Sequence, residues 1–101
     1  MSGDSDAAAL AEAHESVQIT NQRGLHARAS AKFVNTVAKL PPECQVRVSK
    51  DGNDAAGGSI LGLMMLGAAK GDTITISAEG DQAEAAVAAL CELVEGKFGE
   101  D

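Results

Sequence analysis

The residues best suited to chemistry lie in Gly24-Leu25-His26-Ala27-Arg28, where a histidine stands at the passage from a loop into a helix. The first N–H groups of a helix have no intrahelical acceptor and carry the positive end of its dipole. A phosphate on His26 would accept hydrogen bonds from those groups, and Arg28, two residues on, would add a charged donor. The same positive end favours the uncharged imidazole, which is the nucleophilic form. Gly24 permits the close approach and unusual backbone angles that such a loop requires. Taken singly, a histidine at a helix start is more often an ordinary cap or surface residue, and Arg28 a solvated one. His14, the other histidine, lies in an acidic stretch with no partner in view.

A second feature is Ser59-Ile60-Leu61-Gly62-Leu63-Met64-Met65-Leu66, closed by Gly67. Ser and Gly are helix cap signals, and the helix between them is apolar nearly all round. One helix on one sheet cannot bury every face, so an exposed apolar patch is expected, and such patches usually serve a protein partner. Met64 and Met65 suit an adaptable surface. The bland alternative covers Leu61 and Met65 with a loop or another subunit. Ser59 is sufficient as a cap, and a phosphate there would also sit at a helix start, making it a candidate regulatory phosphorylation site.

The elements that must position these residues follow from periodicity. Residues 1–15 are rich in Ala, Asp, Ser and Glu and read as an acidic flexible tail. Val17-Gln18-Ile19-Thr20 alternates as a first strand does. From His26 the period becomes helical, with Ala27, Ala31, Val34 and Ala38 in one stripe and Phe33, Val37 and Leu40 beside it, until Pro41-Pro42 ends it. Cys44, Val46 and Val48 mark a second strand and Asp51-Gly52 a hairpin turn. The stretch 53–58 lies where a third strand would return, although Ala55-Ala56-Gly57-Gly58 has poor strand propensity. Thr73–Ala78 is the clearest strand. Asp81 with Glu84 resembles a capping box for a last helix reaching about Glu95, with Ala83, Ala86, Val87, Leu90 and Val94 inward. The order β-α-β-β-α-β-α, with three amphipathic helices on one short sheet, predicts a two-layer α+β sandwich.

The 101 residues suffice for one domain, and 45% of them are hydrophobic, with two Phe and no Trp or Tyr, so the core is aliphatic. The formal charge is −7, yet six of the eight Lys and Arg fall within residues 17–50 beside a single acid, Glu43. An acidic chain without interleaved aromatics argues against nucleic-acid binding, and the local positive stretch suits an anion or an acidic partner. No apolar run approaches the roughly 20 residues of a membrane span. No basic region precedes an apolar stretch as in a secretory signal. Cys44 and Cys91 form no CxxC, so a reduced, cytoplasmic setting is expected, without a metal or other cofactor.

Gly24-Leu25-His26-Ala27-Arg28 followed by Ala31-Lys32-Phe33-Val34 resembles the active-site segment of HPr, the histidine phosphocarrier family of the phosphoenolpyruvate-dependent phosphotransferase system. Ser59-Ile60-Leu61-Gly62-Leu63-Met64 with Leu66-Gly67 resembles that family's second motif, and Lys70-Gly71-Asp72 with Ile74 and Ile76 is also similar. The resemblance spans roughly residues 16–97 and leaves 98–101 as a short C-terminal tail. It implies an open-faced β-sandwich of four antiparallel strands with three helices on one face. It implies further that His26 takes a phosphoryl group on Nδ1 from enzyme I and passes it to a histidine of an enzyme IIA-type protein. The protein would then be a stoichiometric carrier rather than an enzyme, and a monomer. Arg28 and the backbone amides of Ala27 and Arg28 would steady the phosphate. Ile60, Leu61 and Met64 would form the docking surface, and Ser59 would match the site of an HPr kinase/phosphorylase. Two departures stand out. Ala29-Ser30 replaces the usual Pro, as in carriers of some proteobacteria that include a nitrogen-related branch, and Gly57-Gly58 stands where a basic residue often precedes the serine.

Two readings of other classes compete. In a purely regulatory docking module, His26→Ala would leave output unchanged while Ile60→Asp or Met64→Asp abolished binding. An acyl carrier protein would share the size and acidity, but it needs Asp-Ser-Leu at a helix start. Neither Asp4-Ser5-Asp6 nor Gly58-Ser59 supplies this.

Overall fold

Four strands alternate with three helices in a computed structural model that describes residues 12–100. The strands are β1 (Glu12–Gln18), β2 (Gln45–Lys50), β3 (Asn53–Ala56) and β4 (Thr73–Glu79), and the helices are α1 (Ala27–Ala38), α2 (Ile60–Met65) and α3 (Ala83–Glu95). The sheet order is β1-β4-β2-β3 with every neighbour antiparallel. Its inward rows are Val17 beside Ile74, Ile76 beside Val48 beside Ala55, and Ala78 beside Val46. The helices cover that face, burying Phe33, Leu63 and Leu90 against it, and the other face stays open. The expected α+β open-faced sandwich is the observed architecture.

The weakest stretch in the sequence does form a strand. Asp51 and Gly52 are both left-handed, at φ 51° and 84°, as a tight hairpin of the I′ kind demands. The small residues that follow allow close packing. Gly57 N–H donates to Val46 O at 2.8 Å, and a Cβ on Gly57 would lie 2.6 Å from Val46 Cγ1. Space, rather than strand propensity, selects Gly57.

Several expectations need correction. β1 begins at Glu12, so residues 12–15, expected in the acidic tail, pair with Ile76–Glu79 of β4. An exposed edge ladder needs backbone pairing more than apolar side chains, and here only Val17 is buried. Residues 1–11 of the expected tail, and Asp101, lie outside the described residues. In α1 the buried side chains are Ala29, Ser30 and Phe33, while Ala27 and Ala38 are exposed. Phe33, the bulkiest apolar group of the helix, sets its rotation, and the alanines follow. Asp81 does not cap α3. The cap is Gln82, left-handed at φ 63° with no side-chain bond, which leaves Glu84 to meet the helix dipole from the first turn.

The largest departure concerns residues 98–101. Residues 97–99 form a 3₁₀ turn, and the ring of Phe98 is 1% exposed within the core. Lys97, Phe98 and Gly99 are all left-handed, at φ 60°, 57° and 75°, which turns the chain back toward α1. Each non-glycine residue in that region costs about 1–2 kcal/mol. Burial of the ring, worth roughly 1.5–3 kcal/mol, offsets much of it, and Lys32 Nζ donates to Phe98 O at 2.7 Å. Among the described residues no helix is long and apolar enough to cross a membrane.

Candidate functional site

The loop from Ile19 to His26 is fixed at several points. Ile19 N–H donates to Asp72 O and Gly71 N–H to Ile19 O, each at 2.8 Å. Asn21 is fully buried and its Nδ2 donates to Gly24 O at 2.9 Å. Gly24 is left-handed at φ 62°, and a Cβ there would overlap the carbonyl oxygen of Ala68 and come within 2.8 Å of Ala69 Cα. That same Ala68 carbonyl accepts the N–H of Leu25 at 2.9 Å. Ser30 Oγ donates to Leu25 O at 3.2 Å, tying the first turn of α1 to the loop. The residue that stands where a proline was usual in the motif is neighbour to a serine with a bond of its own.

His26 therefore arrives as the N-cap of α1, extended at φ −76° and ψ −179°, with its side chain unused for capping. Helical bonding starts with Ser30 N–H to His26 O at 2.9 Å. The N–H groups of Ala27, Arg28 and Ala29 precede that bond and have no helical acceptor. Arg28 is exposed and makes no ion pair or side-chain hydrogen bond among the described residues. A twelve-residue helix thus presents three amides, a dipole and an exposed guanidinium around one imidazole.

The imidazole has a partner that was not legible in the sequence. His26 Nε2 lies 2.8 Å from Glu100 Oε2, with side chains 17% and 13% exposed, and Glu100 Oε1 accepts from Asn21 Nδ2 at 3.1 Å. Partial burial alone would raise the Glu100 carboxyl. Hydrogen bonds from Asn21 and His26, and the charges of His26 and Lys32, outweigh it and hold the group below its ordinary value. The contribution of this carboxylate to folding is then complete above the ordinary value of about 4.5 and is lost as pH falls through the lower folded value. A titration of the Glu100 side-chain ¹³C resonance is expected to show a midpoint below 4.5. A midpoint at or above that value would mean the docked carboxylate is absent in solution.

α2 is anchored by Leu63 and Leu66 and leaves its other side bare, with Ile60 41%, Leu61 67%, Met64 40% and Met65 77% exposed. Nothing among the described residues covers Leu61 or Met65, and Met65 extends the expected set. α2 packs against α1, so this patch and His26 belong to adjoining helices. Ser59 Oγ accepts Gly62 N–H at 2.9 Å, as a cap does. Burial raises both thiols, with Asp81 contributing at Cys44 and Glu15 and Glu95 at Cys91, which reaches about 11. Neither cysteine is a nucleophile near neutral pH. His14 lies exposed in β1, and no metal-ligating cluster occurs among the described residues.

The sequence profile described as "PTS HPr component phosphorylation site" matches residues 13–96. The chain belongs to the HPr family. The phosphocarrier protein HPr of Neisseria meningitidis is 45% identical over 86 residues, covering 85% of this chain and 94% of that one. The crystal structure of HPr-C-His from Thermoanaerobacter tengcongensis superposes with a TM-score of 0.82 at 43% identity, covering 88% of this chain and 98% of that one. A structure described as an HPr dimer from the same organism gives a TM-score of 0.68 at 45% identity, covering 83% and 94%. Membership of the HPr family therefore does not establish the monomer expected from the resemblance. The HPr profile ends at residue 96, short of the segment that carries Phe98 and Glu100.

Proposed function

We propose that His26 is the phosphoryl acceptor of a stoichiometric carrier, charged by phospho-enzyme I with phosphoenolpyruvate as the original donor and discharged to a histidine of an enzyme IIA-type protein. The observation that carries this reading is the placement of His26 as the cap of α1, its side chain uncommitted to capping and, directly behind it, three amides that have no acceptor among the described residues. A phosphate on the ring meets the N–H groups of Ala27 and Arg28 and the Arg28 guanidinium, a geometry suited to a dianion. Ile60, Leu61 and Met64, with Met65, supply an apolar surface that successive partners can share. The carrier acts in the cytoplasm and needs no cofactor of its own. Its output is sugar uptake or the regulatory, nitrogen-related branch, and the identity of the enzyme IIA acceptor decides between them. Ser59 is a candidate regulatory phosphosite for an HPr kinase/phosphorylase, and a phosphate there would displace the cap on α2.

The test is intact mass after incubation with enzyme I, phosphoenolpyruvate and Mg²⁺. Wild type is expected to gain one acid-labile, base-stable phosphate and His26→Ala none. Arg28→Ala slows the transfer with folding intact. Met64→Asp keeps the acceptor and loses on the order of tenfold in transfer rate, equivalent to about 1.4 kcal/mol of docking. No phosphate on folded wild type, with enzyme I from several sources, would leave the docking module as the reading.

A further inference from the structure

We infer that Glu100 is a positioning residue of this site: its carboxylate, steadied by Asn21, keeps the His26 proton on Nε2 and leaves Nδ1 as the nitrogen that takes and releases the phosphoryl group. The inference rests on the phosphocarrier reading and adds a residue that lies beyond the family match at 13–96. An ionised carboxylate only accepts hydrogen bonds. Glu100 Oε2 at 2.8 Å from Nε2 therefore requires the proton to be on Nε2, and the neutral ring then carries its lone pair on Nδ1. Asn21 Nδ2 occupies the other carboxylate oxygen and so fixes the orientation of the group.

The chemistry uses this arrangement in both directions. On loading, the Nδ1 lone pair forms the new N–P bond as the donor's N–P bond breaks and its electron pair returns to the donor imidazole. Nε2 keeps its proton throughout, so the His26 ring turns from neutral to cationic, and the Glu100 carboxylate already faces that charge. On unloading, the N–P bond breaks toward Nδ1 and the ring leaves as neutral imidazole, because Nε2 is still protonated. Without that proton the leaving group would be imidazolate, a much poorer one. The role resembles that of the aspartate behind a catalytic histidine, which holds the tautomer and faces the imidazolium without taking the proton.

The placement of Glu100 is built into the fold. Phe98 is buried, two non-glycine residues are held left-handed, Lys32 Nζ holds Phe98 O, and Asn21, fully buried, reaches Glu100 through its Nδ2.

The experiment reads tautomer and transfer separately, on the full chain at neutral pH. Two-bond ¹⁵N–¹H correlation of unphosphorylated wild type is expected to show His26 in the Nε2–H form alone. Glu100→Ala is expected to give a mixture of tautomers and roughly tenfold lower kcat for phosphoryl transfer, with KM for enzyme I unchanged. Glu100→Gln keeps an acceptor, so it retains the tautomer and loses rate through the missing charge. Thermal melting checks that each variant is folded. An Nδ1–H form or a mixture in wild type overturns the inference, as do spectra and rates unchanged in Glu100→Ala. Failure of the carrier reading has a different signature, a wild type that takes no phosphate while its spectrum shows Nε2–H, and it overturns the transfer half of the inference.

Discussion

Replacing Phe98 by alanine is expected to lower the folding free energy by about 3–5 kcal/mol, the range for emptying a buried aromatic site. The ring is 1% exposed among residues of α1 and α3, although it sits in a segment whose sequence reads as a tail. A true tail position would change stability by less than about 0.5 kcal/mol. The two expectations differ by several-fold, so a urea or thermal melt decides between them. For a domain of this size the loss corresponds to a fall in Tm on the order of 15 °C or more. Because Phe98 holds the turn that delivers Glu100, the variant should also release the His26 tautomer at temperatures where the rest of the fold survives. Deleting residues 97–101 should reproduce both effects.

Gly24→Ala is the second substitution with a large expected effect, and it acts from the other side of the site. The backbone at Gly24 is left-handed at φ 62°, which costs an alanine about 1–2 kcal/mol before any contact is counted. The new methyl would then overlap the Ala68 carbonyl oxygen, which already accepts Leu25 N–H at 2.9 Å. Moving that carbonyl breaks the bond that sets the loop height, leaving a buried donor unpaired at a further cost of about 1–3 kcal/mol. A total near 3 kcal/mol is expected in chemical denaturation, together with slower phosphoryl transfer, since His26 is two residues on. A serine at Gly52, equally left-handed but with open space around it, should show the backbone cost alone.

The strands around alternating Val46/Val48 and Ile74/Ile76 were legible because period two with β-branched residues has few other meanings. His26 and Ser59 were legible because each is a polar residue at the mouth of a helical period. The rotation of α1 was not, because alanines at 27, 31 and 38 fit an inward or an outward face and only Phe33 discriminates. The capping of α3 was not legible, because Asp81 and Glu84 have the spacing of a capping box, while the left-handed Gln82 that moves the helix start leaves no trace in residue type. Glu100 and Asn21 were invisible as site residues, since their meaning comes from a chain reversal at 97–99 that no local pattern announces. One signal was available: Phe98 is one of only two aromatics in the chain, and a large apolar ring is seldom left in solvent.

The hydrogen bond from His26 to Glu100 joins residues 74 apart in sequence. Closing a loop of that length carries an entropic cost that only a formed core can meet, and contacts so distant in sequence are late events in folding. The local parts of the site, the helix start and its amides, can form early, but the anion behind the ring arrives only with the global structure. A molten or partly unfolded chain therefore carries the histidine without its fixed tautomer, and competence for transfer tracks the fully folded population rather than helix content.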